Sequence, residues 1–237
     1  CPSNHFNLWT DFKASKLPEC EYDKEGVDFI IKHIYSLCNN EIEPSEYFID
    51  WLSHLFQRPY EKICIFPLFT GIQGLGKSKL ITLIANMLGH CKYLETANPE
   101  NVLFGSHNTL MNQAYLVNFE ELDFLENKKN QGQFKHLTSD SSTHIQINPK
   151  GKDQYSIKSF HRFIGSTNNE NCPILTSQDD RRNFILNGSS ENKGNGEYFS
   201  KLANYVNSKK LQKSFYNFLM KRPNIDTFIS RKIPRTS

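Results

Sequence analysis

Gly71-Ile72-Gln73-Gly74-Leu75-Gly76-Lys77-Ser78 fits the spacing G-x-x-x-x-G-K-[ST], with an extra glycine at Gly74. Upstream, Ile63 to Thr70 is an apolar run that reads as a buried strand. Pro67 removes one ladder hydrogen bond, which leaves Ile63 or Leu68 as the start of that strand. Downstream, Leu80, Ile81, Ile84 and Leu88 recur at helical spacing, and Gly89 is a natural stop. The order is therefore strand, glycine loop, helix. Glycines let such a loop curl until successive N–H groups point at phosphates, and the following helix adds its positive end. In that frame Gly71 to Ser78 would cradle a nucleotide. Lys77 would reach its β- and γ-phosphates, and the Ser78 hydroxyl would ligate Mg²⁺.

A nucleotide hydrolase also needs carboxylates at a neighbouring strand end. Ala114 to Phe119 is an apolar strand that ends in Glu120-Glu121. Glu120 is assigned to the metal through water, and Glu121 to orienting the attacking water, with Asp123 as a spare. A third strand, Phe160 to Gly165, leads into Ser166-Thr167-Asn168-Asn169, where the Asn168 amide can hydrogen-bond a γ-phosphate and the attacking water. Asp179-Asp180-Arg181-Arg182 precedes a fourth strand, Phe184 to Leu186. An arginine here could cross a subunit interface and stabilise charge in a neighbour's site; the sequence leaves both Arg181 and Arg182 as candidates. Between the second and third strands, Thr143 to Ile147 alternates, Asn148-Pro149-Lys150-Gly151 supplies turn chemistry, and Tyr155-Ser156-Ile157 follows. That is a β-hairpin, with Lys150 and Lys152 at its tip and Lys158 and His161 further on. Two exposed lysines there could track the phosphate backbone of a single strand.

The segments outside this set are helical. Val27, Ile30, Ile31, Ile34 and Leu37 form one face, closed by Asn39-Asn40. Pro44 opens a second helix with Phe48, Trp51, Leu52, Leu55 and Phe56 on its face, and Pro59 closes it. Both faces read as core packing. After a polar linker from Ser189 to Gly196 come two further helical patterns, Tyr198/Phe199/Leu202/Tyr205 and Leu211/Phe215/Phe218/Leu219. The 237 residues carry a net charge of only +3, so any basic surface is local. Six dispersed cysteines without a CxxC pair suggest free thiols in a reducing, cytoplasmic compartment. No apolar run approaches the ~20 residues of a membrane span. The first and last residues read as the edges of a piece of a longer chain.

In this order the motifs resemble those of superfamily III helicases, with the poxvirus-type and phage primase-helicase branch nearest. The resemblance rests on Gly71 to Ser78, Glu120-Glu121, Lys150/Lys152, Asn168 and Arg181/Arg182. Phe6-Asn7-Leu8-Trp9-Thr10-Asp11-Phe12 and Phe48 to Pro59 resemble the segments that precede such a core. Asn118 departs from the pattern, since many relatives carry an apolar residue there. What the resemblance implies is an AAA+-like α/β P-loop core with a mainly parallel central sheet, an N-terminal helical collar and C-terminal helices. The expected boundaries are 1–60 for the collar and oligomerisation region, 61–190 for the ATPase core and 191–237 for the C-terminal segment. It further implies a DNA helicase motor that uses ATP and Mg²⁺ and forms a ring, usually a hexamer, on single-stranded DNA. Most such proteins have a primase domain upstream, and the arginine acts in the next subunit. Two other classes fit a P-loop. One is a small-molecule kinase, which would need an acceptor pocket and an arginine-rich lid. The other is an ATPase that drives assembly or loading without unwinding.

Overall fold

The structure is a computed structural model; it describes residues 9–97, 99–105, 108–120, 122, 125, 127–140, 142–168 and 182–234. Five strands build its centre: β1 (Phe66–Thr70), β2 (Tyr93–Thr96), β3 (Leu116–Phe119), β6 (Arg162–Ser166) and β7 (Asn183–Asn187). All pair in parallel, in the order β2-β3-β6-β1-β7. The remaining strands, β4 (His144–Ile147) and β5 (Tyr155–Lys158), form a separate antiparallel hairpin. A parallel sheet must be covered on both faces, and this one is. One face carries α1 (Lys24–Leu37), α2 (Ile42–Gln57), α3 (Lys77–Leu88), α6 (Gly196–Asn207) and α7 (Lys209–Met220). The other carries the short α4 (Pro99–Phe104), a 3₁₀ turn (Thr109–Asn112), α5 (Lys128–Leu137) and the hairpin. The α/β class and the mainly parallel sheet expected from the sequence are what the structure has.

Strand alternation sorts the core between the faces. Phe66 and Leu68 of β1, Val117 and Phe119 of β3 and Phe163 of β6 meet Phe134 of α5. Phe69, Leu116 and Ile164 point the other way, into the helices from both ends of the chain. Pro67 lies within β1 and does not delay its start. Phe66 donates its N–H to Arg182 O on the β7 side. Alternation then aims the position of the missing Pro67 N–H at β6, and pairing with β6 begins only at Leu68.

The flanking helices are tied down by specific polar contacts. Asp23 caps α1 by accepting from Gly26 N, and Asn39 and Asn40 end it with φ of 53° and 59°. Arg222 donates to Glu46 and Asp50 of α2, each at 2.5 Å, and Arg231 also pairs with Asp50. Arg162 at the start of β6 is fully buried. Its guanidinium caps the end of α2, donating to Arg58 O at 2.8 Å, and lies 4.9 Å from the Tyr115 ring centre. It also donates to His54 Nδ1 at 3.0 Å, so that imidazole is neutral with its proton on Nε2, 3.3 Å from Glu61.

Three buried histidines link this fold to pH. Burial, then the Arg162 and Arg58 charges, pushes His54 down to about 3. Burial alone lowers His33 to about 4, and it also lowers His161. Between the unfolded value of 6.5 and these folded values, the unfolded chain binds more protons than the native one, so stability rises with pH. Lowering the pH from about 7 to about 5.5 should cost about 1 kcal/mol for each of His54 and His33, with a contribution of the same sign from His161, read from urea unfolding. A stability that stays flat over that range would contradict the neutral, buried state of these rings.

Candidate nucleotide site

The loop between β1 and α3 uses backbone conformations that only glycine adopts without strain. Gly71, Gly74 and Gly76 have φ of 102°, 90° and 90°. Leu75 anchors the loop: its side chain is buried, and a Cβ placed on Gly188 would lie 2.6 Å from Leu75 Cδ1. Ile72, Gln73 and Gly74 are left exposed at the open end. Gly76 is the N-cap of α3, so the first N–H groups of that helix have no partner within it. Such a ring of backbone donors at a helix start suits a phosphate.

Lys77 is buried, and its ammonium is held by oxygen atoms alone. Nζ donates to Gly71 O at 2.6 Å, Thr167 O at 3.0 Å and Asn168 Oδ1 at 3.0 Å. Desolvation lowers its pKa. Thr167 is set in place by donating its N–H to Phe69 O at 2.9 Å, which ties the end of β6 to the end of β1. The structure thus brings Lys77 and Asn168 together. Because β6 lies between β1 and β3, Asn168 stands between the glycine loop and Glu120, which follows β3.

Ser78 is exposed one residue into α3, and Glu120 is exposed beyond β3. Glu121 and Asp123 lie outside the described residues. Among the described residues no group of three or more His, Cys, Asp or Glu is placed to hold a metal. One hydroxyl and one carboxylate still fit Mg²⁺, which keeps several waters and takes its other ligands from phosphates. Asn118, on the Glu120 side of β3, is buried with its Oδ1 unpartnered among the described residues. Neighbouring Tyr93 donates to Glu95 at 3.1 Å.

Arg182 stands at the N-terminal end of β7 and donates to Lys135 O at 3.1 Å. Strand β7 runs parallel to β1, so Arg182 lies a full strand length from its own loop, roughly 16 Å. Arg181 lies outside the described residues. Lys150 and Lys152 are exposed at the hairpin tip. The hairpin packs through Ile145 and Ile147, and Asn108 clamps it by donating to Gln146 O at 2.8 Å and accepting from Asn148 N at 2.9 Å. His161 is not on an exposed basic face: it is buried, with Nε2 2.7 Å from Met111 O.

Two elements the sequence did not connect to the loop close over it. His33 of α1 sets Nε2 3.3 Å from Gly76 O, and Phe199 of α6 packs on the same glycine. The available signal was a histidine inside the apolar stripe of α1.

Residues 69–182 match a family described as "Family of unknown function (DUF5906)". No curated protein matches the chain. Among solved structures, the chain is similar to the A form apo structure of the NrS-1 C-terminal region, with a TM-score of 0.72 and 21% identity over 95% of this chain and 52% of that one. The apo structure of the NrS-1 C-terminal region (305–718) aligns with a TM-score of 0.71 and 20% identity over 97% of this chain and 53% of that one. The chain therefore spans about half the length of these structures, at 52% and 53%. Identities this low speak for the fold alone. A JCV helicase structure aligns at a TM-score of 0.40 and 13% identity over 88% of this chain and 68% of that one, too distant to carry an argument. Among the described residues no helix is long and apolar enough to cross a membrane.

The loop makes a graded forecast. Gly74 and Gly76 both have φ of 90°, but a Cβ on Gly74 meets nothing within 4 Å, whereas one on Gly76 meets His33 at 2.6 Å. Gly74→Ala should cost about 1–2 kcal/mol for its left-handed backbone. Gly76→Ala should cost a further ~1–3 kcal/mol for overpacking, measured by chemical unfolding. Equal costs would mean that the wall around Gly76 yields freely.

Proposed function

We propose that this chain is the ATP-hydrolysing motor of a DNA helicase that works as a ring on single-stranded DNA. The observation that carries the nucleotide half of this reading is the contact of Lys77 Nζ with Asn168 Oδ1 at 3.0 Å. It sets a phosphate-seeking cation beside an amide able to orient water, at the carboxyl edge of a parallel sheet. Gly71 to Ser78 would bind the triphosphate through backbone N–H groups. Lys77 would leave its carbonyl partners for the β- and γ-oxygens. Asn168 would then hydrogen-bond the γ-phosphate and the attacking water, and Glu121 would take that water's proton. Mg²⁺, held by Ser78 and through water by Glu120, would supply charge neutralisation between the β- and γ-phosphates.

The motor half rests on two placements. Lys150 and Lys152 are exposed on a hairpin that Asn108 braces at Gln146 and Asn148, beside the tip, and its second strand continues towards β6, the strand that leads to Asn168. A path from DNA to the proposed γ-phosphate sensor would therefore run along two short strands, β5 and β6. Arg182 is remote from its own loop, as an arginine acting on a neighbour's nucleotide must be. This supports sites shared between subunits, usually six, with Arg181 as the other candidate. The host-type assignment, viral or phage with a primase domain in the same polypeptide, rests on the motif resemblance. So does action in a cytoplasmic compartment.

The test is ATP hydrolysis with and without single-stranded DNA, together with strand displacement on a forked duplex. Lys77→Ala should lower turnover at least about a hundredfold. The double change Lys150→Ala/Lys152→Ala should keep basal turnover and lose the stimulation by DNA. Hydrolysis that ignores DNA in the parent protein would remove the helicase reading. DNA-stimulated hydrolysis without strand displacement would favour an assembly or loading ATPase.

A further inference from the structure

We propose that His33 is a positioning residue of the phosphate loop, holding the Gly76 carbonyl so that the next N–H, that of Lys77, points into the cradle. The inference rests on the ATP-binding reading of this loop.

Gly76 is the least constrained residue of the loop by chemistry and the most constrained by surroundings. It has no side chain and sits at φ 90° and ψ 10°, a conformation with no intrinsic hold on it. Its carbonyl accepts from Lys79 N at 3.0 Å and Leu80 N at 3.2 Å, and so points along α3. The peptide that follows is trans, so the carbonyl of Gly76 and the N–H of Lys77 point in opposite directions. Whatever fixes the first fixes the second, and the second is a donor without a partner inside the helix.

His33 supplies the side-chain contact to this carbonyl, from a helix far away in sequence. A carbonyl can only accept, so Nε2, 3.3 Å from Gly76 O, carries the proton. Nδ1 is then an acceptor, and the Tyr198 hydroxyl lies 2.9 Å from it. Tyr198 is therefore the donor that selects the tautomer, and it comes from α6. Burial keeps the ring neutral, which suits a single directed N–H bond. Phe199 closes the remaining side, with 3.1 Å left for a Cβ on Gly76. The cradle is thus aimed by a relay from α6 through α1 to the loop.

The experiment compares His33→Leu, His33→Gln and Tyr198→Phe with the parent and with Lys77→Ala. One readout is equilibrium binding of a fluorescent mant-ATP with Mg²⁺. Another is the ring-nitrogen NMR of His33 in the nucleotide-free protein. Leu removes the N–H donor at similar volume, while Gln can return an N–H to the same carbonyl. His33→Leu should weaken nucleotide binding about tenfold, and His33→Gln should stay within about threefold of the parent. Both changes delete the imidazole, so a purely packing role would move the two alike. Tyr198→Phe keeps the ring and the packing, and should weaken binding about threefold and abolish the single-tautomer spectrum. Parent-like affinity in both His33→Leu and Tyr198→Phe, or a parent spectrum with the proton on Nδ1, overturns the proposal. Failure of the parent to bind mant-ATP overturns the ATP reading instead, and the tautomer spectrum then still judges the His33 relay.

Discussion

A lysine ammonium buried among three oxygens is the contact on which the candidate site turns. Its partners belong to the loop after β1 and to the end of β6. The contact therefore requires those two strands to be neighbours and in register. The parallel pairing of Leu68 with Gly165 and of Phe69 with Ser166 provides this. The chain reaches that arrangement by crossing from β1 to the sheet edge at β2, then stepping back through β3 to place β6 beside β1. Gly165 belongs to the same constraint: a Cβ there would meet the Phe66 ring at 2.9 Å and push the two strands apart.

Around that contact, the two ends of the chain behave as one scaffold. Helices α1 and α2 share a hydrophobic core with α3, α6 and α7. Buried polar groups fix their approach: Arg162 at the end of α2, and His33 with Tyr198 beside the loop. Each is costly to bury and is satisfied by geometry that holds in only one docking pose. The expected division into collar, core and C-terminal segment follows the order of the chain, while the packing crosses all three stretches.

Much of this was legible in the sequence because it is written in local signals. Apolar runs marked β1, β3, β6 and β7, turn residues marked the hairpin, and helical spacing marked α1, α2, α3, α6 and α7. Strand β2 escaped because Tyr93-Leu94-Glu95-Thr96 is short, sits at the sheet edge and has no fully apolar face. Helix α5 escaped because its only buried apolar residue is Phe134. Arg162 is the sharper lesson. Nothing in the run Phe160 to Gly165 singled out this charged residue, yet it is fully buried, because the carbonyls that receive it come from the end of a helix about a hundred residues earlier. His33 was hidden for the converse reason: its position in the α1 stripe is what a core residue would have.

The lacing of Lys77 to Gly71 O also has a meaning for selectivity. An incoming anion does not find a waiting charge; it must win the ammonium from three oxygens that already satisfy it. Neutral ligands have nothing to offer in that exchange, and a singly charged group can replace only part of what is given up. On the proposed nucleotide reading, such a loop would discriminate by charge density, favouring a dense polyanion over weak anions.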